Sequence, residues 1–300
     1  MKKGISVIIP CYKAGEYLKQ TVESVIDQKC PYPYEIIIAD DNPKNEQNDR
    51  AMLEIMELAE RKGVDLRVVT HRENKGDAGA RNTALKAAEY EFIFPVDADD
   101  LLVPPSESED GIGYMQKAYE LMAENEKFDV VFSDMENFGA YDSLHTFPEF
   151  DPKMFLERCT IWISGMYRRG TALAMGGYDE SLRHVVDFAF WARMLQYKEQ
   201  RGEDLNVYKI AEPLYRYRRF PKDGEWKHAS AETVNDHVRG WKLMVGRFPD
   251  LYKKYFPDAE FSELPEKFHH NELIREGKLR VSEELQPPRE HRKEAHMRFS

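Results

Sequence analysis

Short apolar runs and longer amphipathic stretches alternate along the first hundred residues. Ile5 to Pro10 is an apolar run, rich in β-branched residues, that reads as a buried strand, and Leu18, Val22, Val25 and Ile26 then recur at helical spacing. Glu35-Ile36-Ile37-Ile38-Ala39 predicts a second strand, closed by the turn signal Asp40-Asp41-Asn42-Pro43. Met52, Ile55, Met56 and Ala59 form the next helical stripe, and Lys62-Gly63 stops it. Leu66–Thr70 and Glu91–Val96 read as a third and a fourth strand, with an Ala-rich helix over Gly79–Glu89 between them. This strand–helix alternation predicts an α/β domain whose sheet is mostly parallel and covered by helices on both faces.

From Pro104 onward the pattern loosens. Pro104–Gly111 reads as a polar loop, followed by a helix near 112–125 and a strand over Phe128–Phe132. Residues 135–160 carry mixed signals. Thr160–Met166 is strand-like and runs through Arg168-Arg169-Gly170 into a small helical piece. After the turn Gly176-Gly177-Tyr178-Asp179-Glu180, a strong helix begins at Asp187, with Phe188, Trp191, Ala192 and Leu195 on one face. Residues from about 225 to 277 read as helical and highly charged, and the end of the chain, with Pro287-Pro288, as a loose tail. The organisation expected is therefore residues 1–105, residues 106–224 and a helical extension with its tail over 225–300.

Charge narrows the partners. The 300 residues carry 43 Lys plus Arg against 54 Asp plus Glu, a formal net charge of −11. A general nucleic-acid binder would show a basic face, so nucleic acid is not an expected partner. No run approaches the roughly 18 apolar residues that span a membrane, and the start lacks a secretory leader's core and cleavage site. Cys11, Cys30 and Cys159 are scattered, with no paired spacing that suggests a disulfide framework or a zinc site. A cytoplasmic protein is the expectation.

The chemistry gathers at strand ends. Cys11-Tyr12, Asp40-Asp41 and Asp97-Ala98-Asp99-Asp100 follow the first, second and fourth strands, and in a parallel sheet these ends face one crevice. Two carboxylates one residue apart, emerging from a buried strand, offer hard oxygen ligands to Mg²⁺ or Mn²⁺. The plainer reading is a solvated turn with capping aspartates. Leu102 stands where a calcium loop of the EF-hand kind needs glycine.

Several segments together carry a resemblance. They are Ser6–Tyr12, the helix Leu18–Gln28 with Ser24 and Gln28, Glu35–Asn42, Asn74-Lys75-Gly76, Ala80-Arg81-Asn82 and Asp97–Asp100, in this order and spacing. The chain resembles the family 2 glycosyltransferases of GT-A fold, closely over residues 4–105 and more weakly to about 220. The resemblance implies a Rossmann-like mixed sheet flanked by helices, that is, a nucleotide-diphospho-sugar transferase. Residues 1–105 would then form the nucleotide-sugar-binding half and 106–224 the acceptor-binding half. The activity implied is metal-dependent, inverting transfer of a sugar, from a UDP-sugar donor, to a hydroxyl of a saccharide or lipid-linked acceptor in cell-surface polysaccharide or glycoconjugate synthesis. That work would be done in the cytoplasm or at the inner face of the membrane.

Residue by residue, the resemblance assigns donor contacts to Pro10, Tyr12, Asp41, Arg81, Asp97 and Ala98, and the Mn²⁺ or Mg²⁺ ion to Asp97 and Asp99. Tyr12 and Asp41 would read the base, a ring to stack on it and a carboxylate to accept its N–H. The general base is the second residue of an acidic pair at a helix start. Here the pair reads Val186-Asp187, so the first acid is missing and Asp187 is the catalytic candidate. Its plainer reading is an N-cap for the helix. Other readings remain open. An apolar strand ending in Asp-x-Asp also describes a haloacid-dehalogenase-like phosphatase, although the motif falls after the fourth strand and Leu101 replaces the usual Thr or Val. A non-catalytic nucleotide-sugar-binding protein is the third. The basic run Tyr215–Lys222 is either an exposed edge-strand face or a source of Arg216 or Arg218 for the diphosphate. His269, His270, His291 and His296 lie on charged segments that read as solvated.

Overall fold

A computed structural model describes residues 2–42, 46–220 and 233–275. The first strands form where the apolar runs predict them: β1 (Lys2–Cys11), β2 (Tyr34–Asp40), β3 (Asp65–Thr70) and β4 (Tyr90–Pro95). Between them run α1 (Gly15–Ile26), α2 (Glu46–Lys62) and α3 (Gly76–Ala87). All four strands are parallel, in the order β3-β2-β1-β4. The chain therefore builds outward from β1 on one side and then returns to its other side. That reversal opens a crevice at the carboxyl ends of β1 and β4. Val7, Ile8 and Ile9 of β1 and Ile36, Ile37 and Ile38 of β2 are fully buried, as strands covered on both faces must be. Each such side chain contributes roughly 1.5–3 kcal/mol.

Beyond β4 the sheet becomes mixed. Its remaining elements are β5 (Leu101–Leu102), α4 (Tyr114–Glu124), β6 (Val130–Gly139), β7 (Ser143–His145), α5 (Pro152–Glu157), β8 (Met166–Arg168), α6 (Arg169–Ala174), α7 (Val186–Glu199) and β9 (Val207–Arg219). The nine strands among the described residues run β3-β2-β1-β4-β8-β6-β9-β5, with β7 on β6. β8 is antiparallel to both β4 and β6, while β9 is parallel to β6.

Two sequence expectations change here. The strand expected over Thr160–Met166 is only β8, because Trp162 to Gly165 turns, with the Gly165 N–H bonded to the Trp162 carbonyl at 3.2 Å. Apolarity in that run reflects burial of an irregular segment, not extension. Gly165 lies so close to Val130 that an added Cβ would meet its side chain at 3.1 Å. Conversely, β6 runs well past Phe132, through residues whose polar side chains hide it. Asp134 is buried there because it accepts the Phe147 N–H at 2.8 Å and faces Lys209 at 3.6 Å.

Two compact units divide the chain, Met1–Ala231 and Glu232–Ser300. The second contains α8 (Thr233–Arg247), α9 (Pro249–Tyr255) and α10 (Leu264–Arg275). Its core brings Trp241 and Tyr252 each 6.2 Å from Phe268, ring to ring. His269, expected on a solvated face, is buried beside Trp241 instead, because α10 packs that side of the helix inward. The His270 side chain, His291, His296 and the C-terminal tail lie outside the described residues. Among the described residues no helix is long and apolar enough to cross a membrane.

Candidate active site

The crevice at the ends of β1, β2 and β4 is a cleft of about 490 Å³. Pro10, Tyr12, Asp41, Arg81, Asp97, Ala98 and Asp99 all line it, with Cys11, Asn74, Gly76, Asp77 and Arg183 among their neighbours. Every residue expected to contact a donor or metal is thus brought to one surface. Asp187 is not: it sits half-buried in the first turn of α7, outside the lining.

A face of α1 holds the Asp97–Asp100 loop in place. The Thr21 hydroxyl lies 2.9 Å from the Ala98 carbonyl and 2.8 Å from that of Asp100. Ser24 Oγ accepts the Leu102 N–H at 3.1 Å, and Gln28 Nε2 donates to the Val103 carbonyl at 2.8 Å. Positions 21 and 24 share a helix face and Gln28 follows in the turn after α1, so α1 and its C-terminal turn brace the backbone from 98 to 103. From the other side, Leu101-Leu102 pairs with Tyr215-Arg216 of β9. Tyr215 Oη donates to Asp100 Oδ2 at 2.8 Å and accepts the Asp97 N–H at 3.2 Å. Asp100 is fully buried, and burial followed by the charges of Asp99 and Asp97 raises its pKa well above the ordinary value. The third acid of the cluster therefore braces the loop and leaves Asp97 and Asp99 to face the cleft.

Asp41 organises the opposite wall. Its Oδ1 accepts the Lys75 N–H at 2.7 Å and faces His71 Nδ1 at 2.7 Å, while Oδ2 accepts the Gly76 N–H at 2.8 Å. An ionised carboxylate offers about four acceptor positions, so three protein donors leave one for a ligand. Gly76 has φ +77, and a Cβ there would meet Arg183 Nη1 at 2.0 Å. Arg183 in turn donates to the Lys75 carbonyl at 3.2 Å and adds a cation to the cleft. No periodicity marks Arg183 or His71, since each is recruited from a loop by tertiary contact.

Arg81 is buried in α3. Its Nε donates to Asp77 at 2.9 Å and its Nη2 to Asp97 at 2.6 Å, while Nη1 has no protein partner. An unpaired buried guanidinium nitrogen at a cleft wall is an unmet donor that a ligand can satisfy. The next residue, Asn82, donates to the Tyr178 carbonyl at 2.9 Å and to Glu180 at 2.8 Å, and accepts the Tyr178 N–H at 2.8 Å. Consecutive residues of one helix thus tie the Asp97 loop to the Gly176–Glu180 turn that precedes α7.

Asp187 is not the N-cap of α7. That position is Val185, in a left-handed conformation at φ +53 that a β-branched residue rarely adopts. Burial raises the Asp187 pKa, against the Phe188 N–H and the charge of Arg81, so the carboxyl lies within electrostatic reach of α3. Cys11 is no competing nucleophile: burial and then Asp40 push its thiol up to about 12. In the basic run, Arg216 pairs with Glu107 and Glu136, away from the cleft. Arg218 donates from Nε to the Asp99 carbonyl at 2.6 Å. Among the described residues no group of three or more His, Cys, Asp or Glu side chains converges on a self-sufficient metal site. Asp97 and Asp99 offer hard oxygen ligands that could hold a divalent ion.

Residues 6–137 match the family described as glycosyl transferase family 2. An uncharacterized glycosyltransferase, MJ1057, of Methanocaldococcus jannaschii is 27% identical over 223 residues, 71% of this chain and 70% of that protein. UDP-Glc:alpha-D-GlcNAc-diphosphoundecaprenol beta-1,3-glucosyltransferase WfgD of Escherichia coli is 31% identical over 99 residues, 33% of this chain and 36% of its own length. The crystal structure of S. aureus TarS 1-349 in complex with UDP-GlcNAc superimposes with a TM-score of 0.64 at 20% identity, covering 94% of this chain and 77% of that one. Residues 6–137 resemble the family 2 glycosyl transferases, and the chain is a transferase of the GT-A fold.

Proposed function

We propose that this chain moves a sugar from a UDP-sugar donor to a hydroxyl of a saccharide or lipid-linked acceptor, with inversion, in cell-surface polysaccharide or glycoconjugate synthesis. The observation that carries the proposal is the convergence of Pro10, Tyr12, Asp41, Arg81, Asp97, Ala98 and Asp99 on one cleft at the sheet's reversal point. The half-exposed Tyr12 ring offers a stacking surface for the base, and Asp41 keeps one acceptor position for a base N–H. WfgD is named for a UDP-glucose donor and a lipid-linked acceptor, and TarS was solved with UDP-GlcNAc; both support this reading.

Asp97 and Asp99 would hold Mg²⁺ or Mn²⁺. When bound, such an ion offsets negative charge on the departing diphosphate. Arg81 sits against Asp97 with one donor unspent, which suits an oxygen of the same group. Asp187 would take the proton of the acceptor hydroxyl as its oxygen attacks the anomeric carbon. The bond from that carbon to the diphosphate oxygen breaks on the opposite face, and the nucleoside diphosphate leaves with the electron pair. One displacement inverts the centre.

Thermal melting tests the donor assignment. UDP with Mn²⁺ should raise the melting temperature by several degrees, since a ligand at 100 times its dissociation constant adds about 2.7 kcal/mol. Asp99→Ala should remove that shift. No shift with any nucleotide would overturn the donor reading.

A further inference from the structure

We propose that one face of the β7–β6–β9 ribbon, beyond the Asp97–Asp100 loop, is the acceptor subsite, and that it selects a saccharide carrying a negative charge near the hydroxyl it presents. The inference deepens the transferase reading above and rests on it.

The register of the ribbon defines the face. Tyr217 pairs with Asn137, Asn137 with Ser143, and Met135 with His145, so these side chains and Tyr215 share one side of the sheet. Tyr215 on this side bonds both Asp100 and the Asp97 backbone. Two residues further along the strand, Tyr217 stands next to the same loop. Burial raises its pKa, and the charges of Asp100 and Asp97 add to the effect. Tyr217 therefore lies near the loop that carries Asp97 and Asp99. The segment before Trp162 approaches the candidate base. Cys159, three residues before Trp162, lies within reach of the Asp187 charge, and Phe155 packs on Phe188 at 5.1 Å between ring centres.

What covers this face is aromatic and cationic. Trp162 meets Tyr217 edge-on at 4.9 Å, and both rings are half-buried. The Arg219 guanidinium lies 4.4 Å from the Tyr217 ring and 5.7 Å from that of Tyr141, which is 54% exposed. Arg219 donates through Nε to Asn137 Oδ1 at 2.6 Å, and its two terminal nitrogens have no protein partner among the described residues. His145 is exposed nearby; its pKa is lowered by burial of part of the ring and then by Arg219, with Asp134 opposing and Arg158 adding to the effect. Asp134, the buried acid of this region, is already engaged by Lys209 and the Phe147 N–H. Asp142 in the hairpin turn is exposed and water-screened.

Each part answers to a part of the ligand. Flat half-buried rings take the apolar face of a pyranose, as aromatic linings do in small-molecule sites. A guanidinium held between two rings, with a free fork of N–H groups, pairs with a carboxylate or phosphate in two-point fashion. In a chain of net charge −11, a cation held in place without an acidic partner among the described residues attracts an anion locally.

Titration calorimetry tests this with three probes of similar length: a neutral gluco-oligosaccharide, an oligosaccharide containing hexuronic acid, and a sugar joined through a diphosphate to a short alkyl chain. Each is titrated with and without UDP and Mn²⁺. At least one charged probe should bind about tenfold or more tightly than the neutral one, and which one does so tells whether the charge belongs to an acidic sugar or to a linking phosphate. Arg219→Gln should erase that preference while the UDP-dependent thermal shift persists, and Tyr141→Ala should weaken all three probes alike. Equal binding of the neutral probe, no binding of either charged probe, or an unchanged preference in Arg219→Gln would overturn the inference. Loss of the UDP shift in the unaltered protein would instead strike the donor reading, because the saccharide titrations without nucleotide stand apart from it.

Discussion

Asp187 and Val185 show what single residues contribute at the start of α7. A folded-state pKa above the unfolded value means that the folded chain binds the proton more tightly. Stability therefore falls as pH rises from the unfolded pKa through the folded one, and at neutral pH the ionised Asp187 costs stability. Asp187→Asn should accordingly melt higher than the unaltered protein at pH 7, keep donor binding and lose transfer by about 10²–10⁴-fold. A pH–rate profile should show the acid limb above the range of a solvent-exposed carboxylate, because only the ionised form can take a proton. Retained turnover in Asp187→Asn would remove it as the base. Val185 at φ +53 stores strain of order 1–3 kcal/mol beside this residue. The spacing of the sequence shows an acid at a helix start; it does not show the left-handed residue that precedes it.

At the scale of elements, α1 and α3 act as clamps. Thr21 and Ser24 of α1 and Gln28 in the turn after it brace residues 98–103, which gives a physical reason for the Ser24 and Gln28 spacing read in the sequence. α3 holds Asp97 through Arg81 and the Gly176–Glu180 turn through Asn82. Asn82→Ala removes three hydrogen bonds, two of them to buried backbone groups, and should destabilise the fold by about 2–3 kcal/mol. Denaturant melts read that loss. Donor binding should change little compared with turnover, since the turn leads to Asp187 and not to the cleft; equal losses in both would refute this division of work. The α/β alternation of the first hundred residues was legible because buried strands and amphipathic helices have different periods. β6 was legible only to Phe132, because the polar residues Asp134 and Asn137 beyond it are satisfied by partners on other elements.

For the molecule as a whole, net negative charge and the proposed phosphate-bearing donor are reconciled by where the cations sit. Arg81 and Arg183 line the cleft, while Arg216 and Arg218 are spent on holding β9 to its neighbours. In the proposed function a divalent ion would add to ligand binding and not to folding. EDTA should leave the melting temperature of the ligand-free protein within about 1 °C and abolish the shift given by UDP with Mn²⁺. A large drop in the ligand-free protein would mean that a metal stabilises the fold itself.

The sequence alone determined the strand order's raw material, the three polar strand ends and the pair Asp97 and Asp99, because hydrophobic period and turn chemistry are local properties. It could also show that Asp187 begins a helix. Only the tertiary structure decided that Asp100 is buried under Tyr215 and withdrawn from the cleft, and that Arg183 and His71 join the site. It likewise gathered Trp162, Tyr217 and Arg219 into one surface. Those assignments depend on contacts between residues 30 to 118 positions apart, which register and burial create and no local pattern encodes.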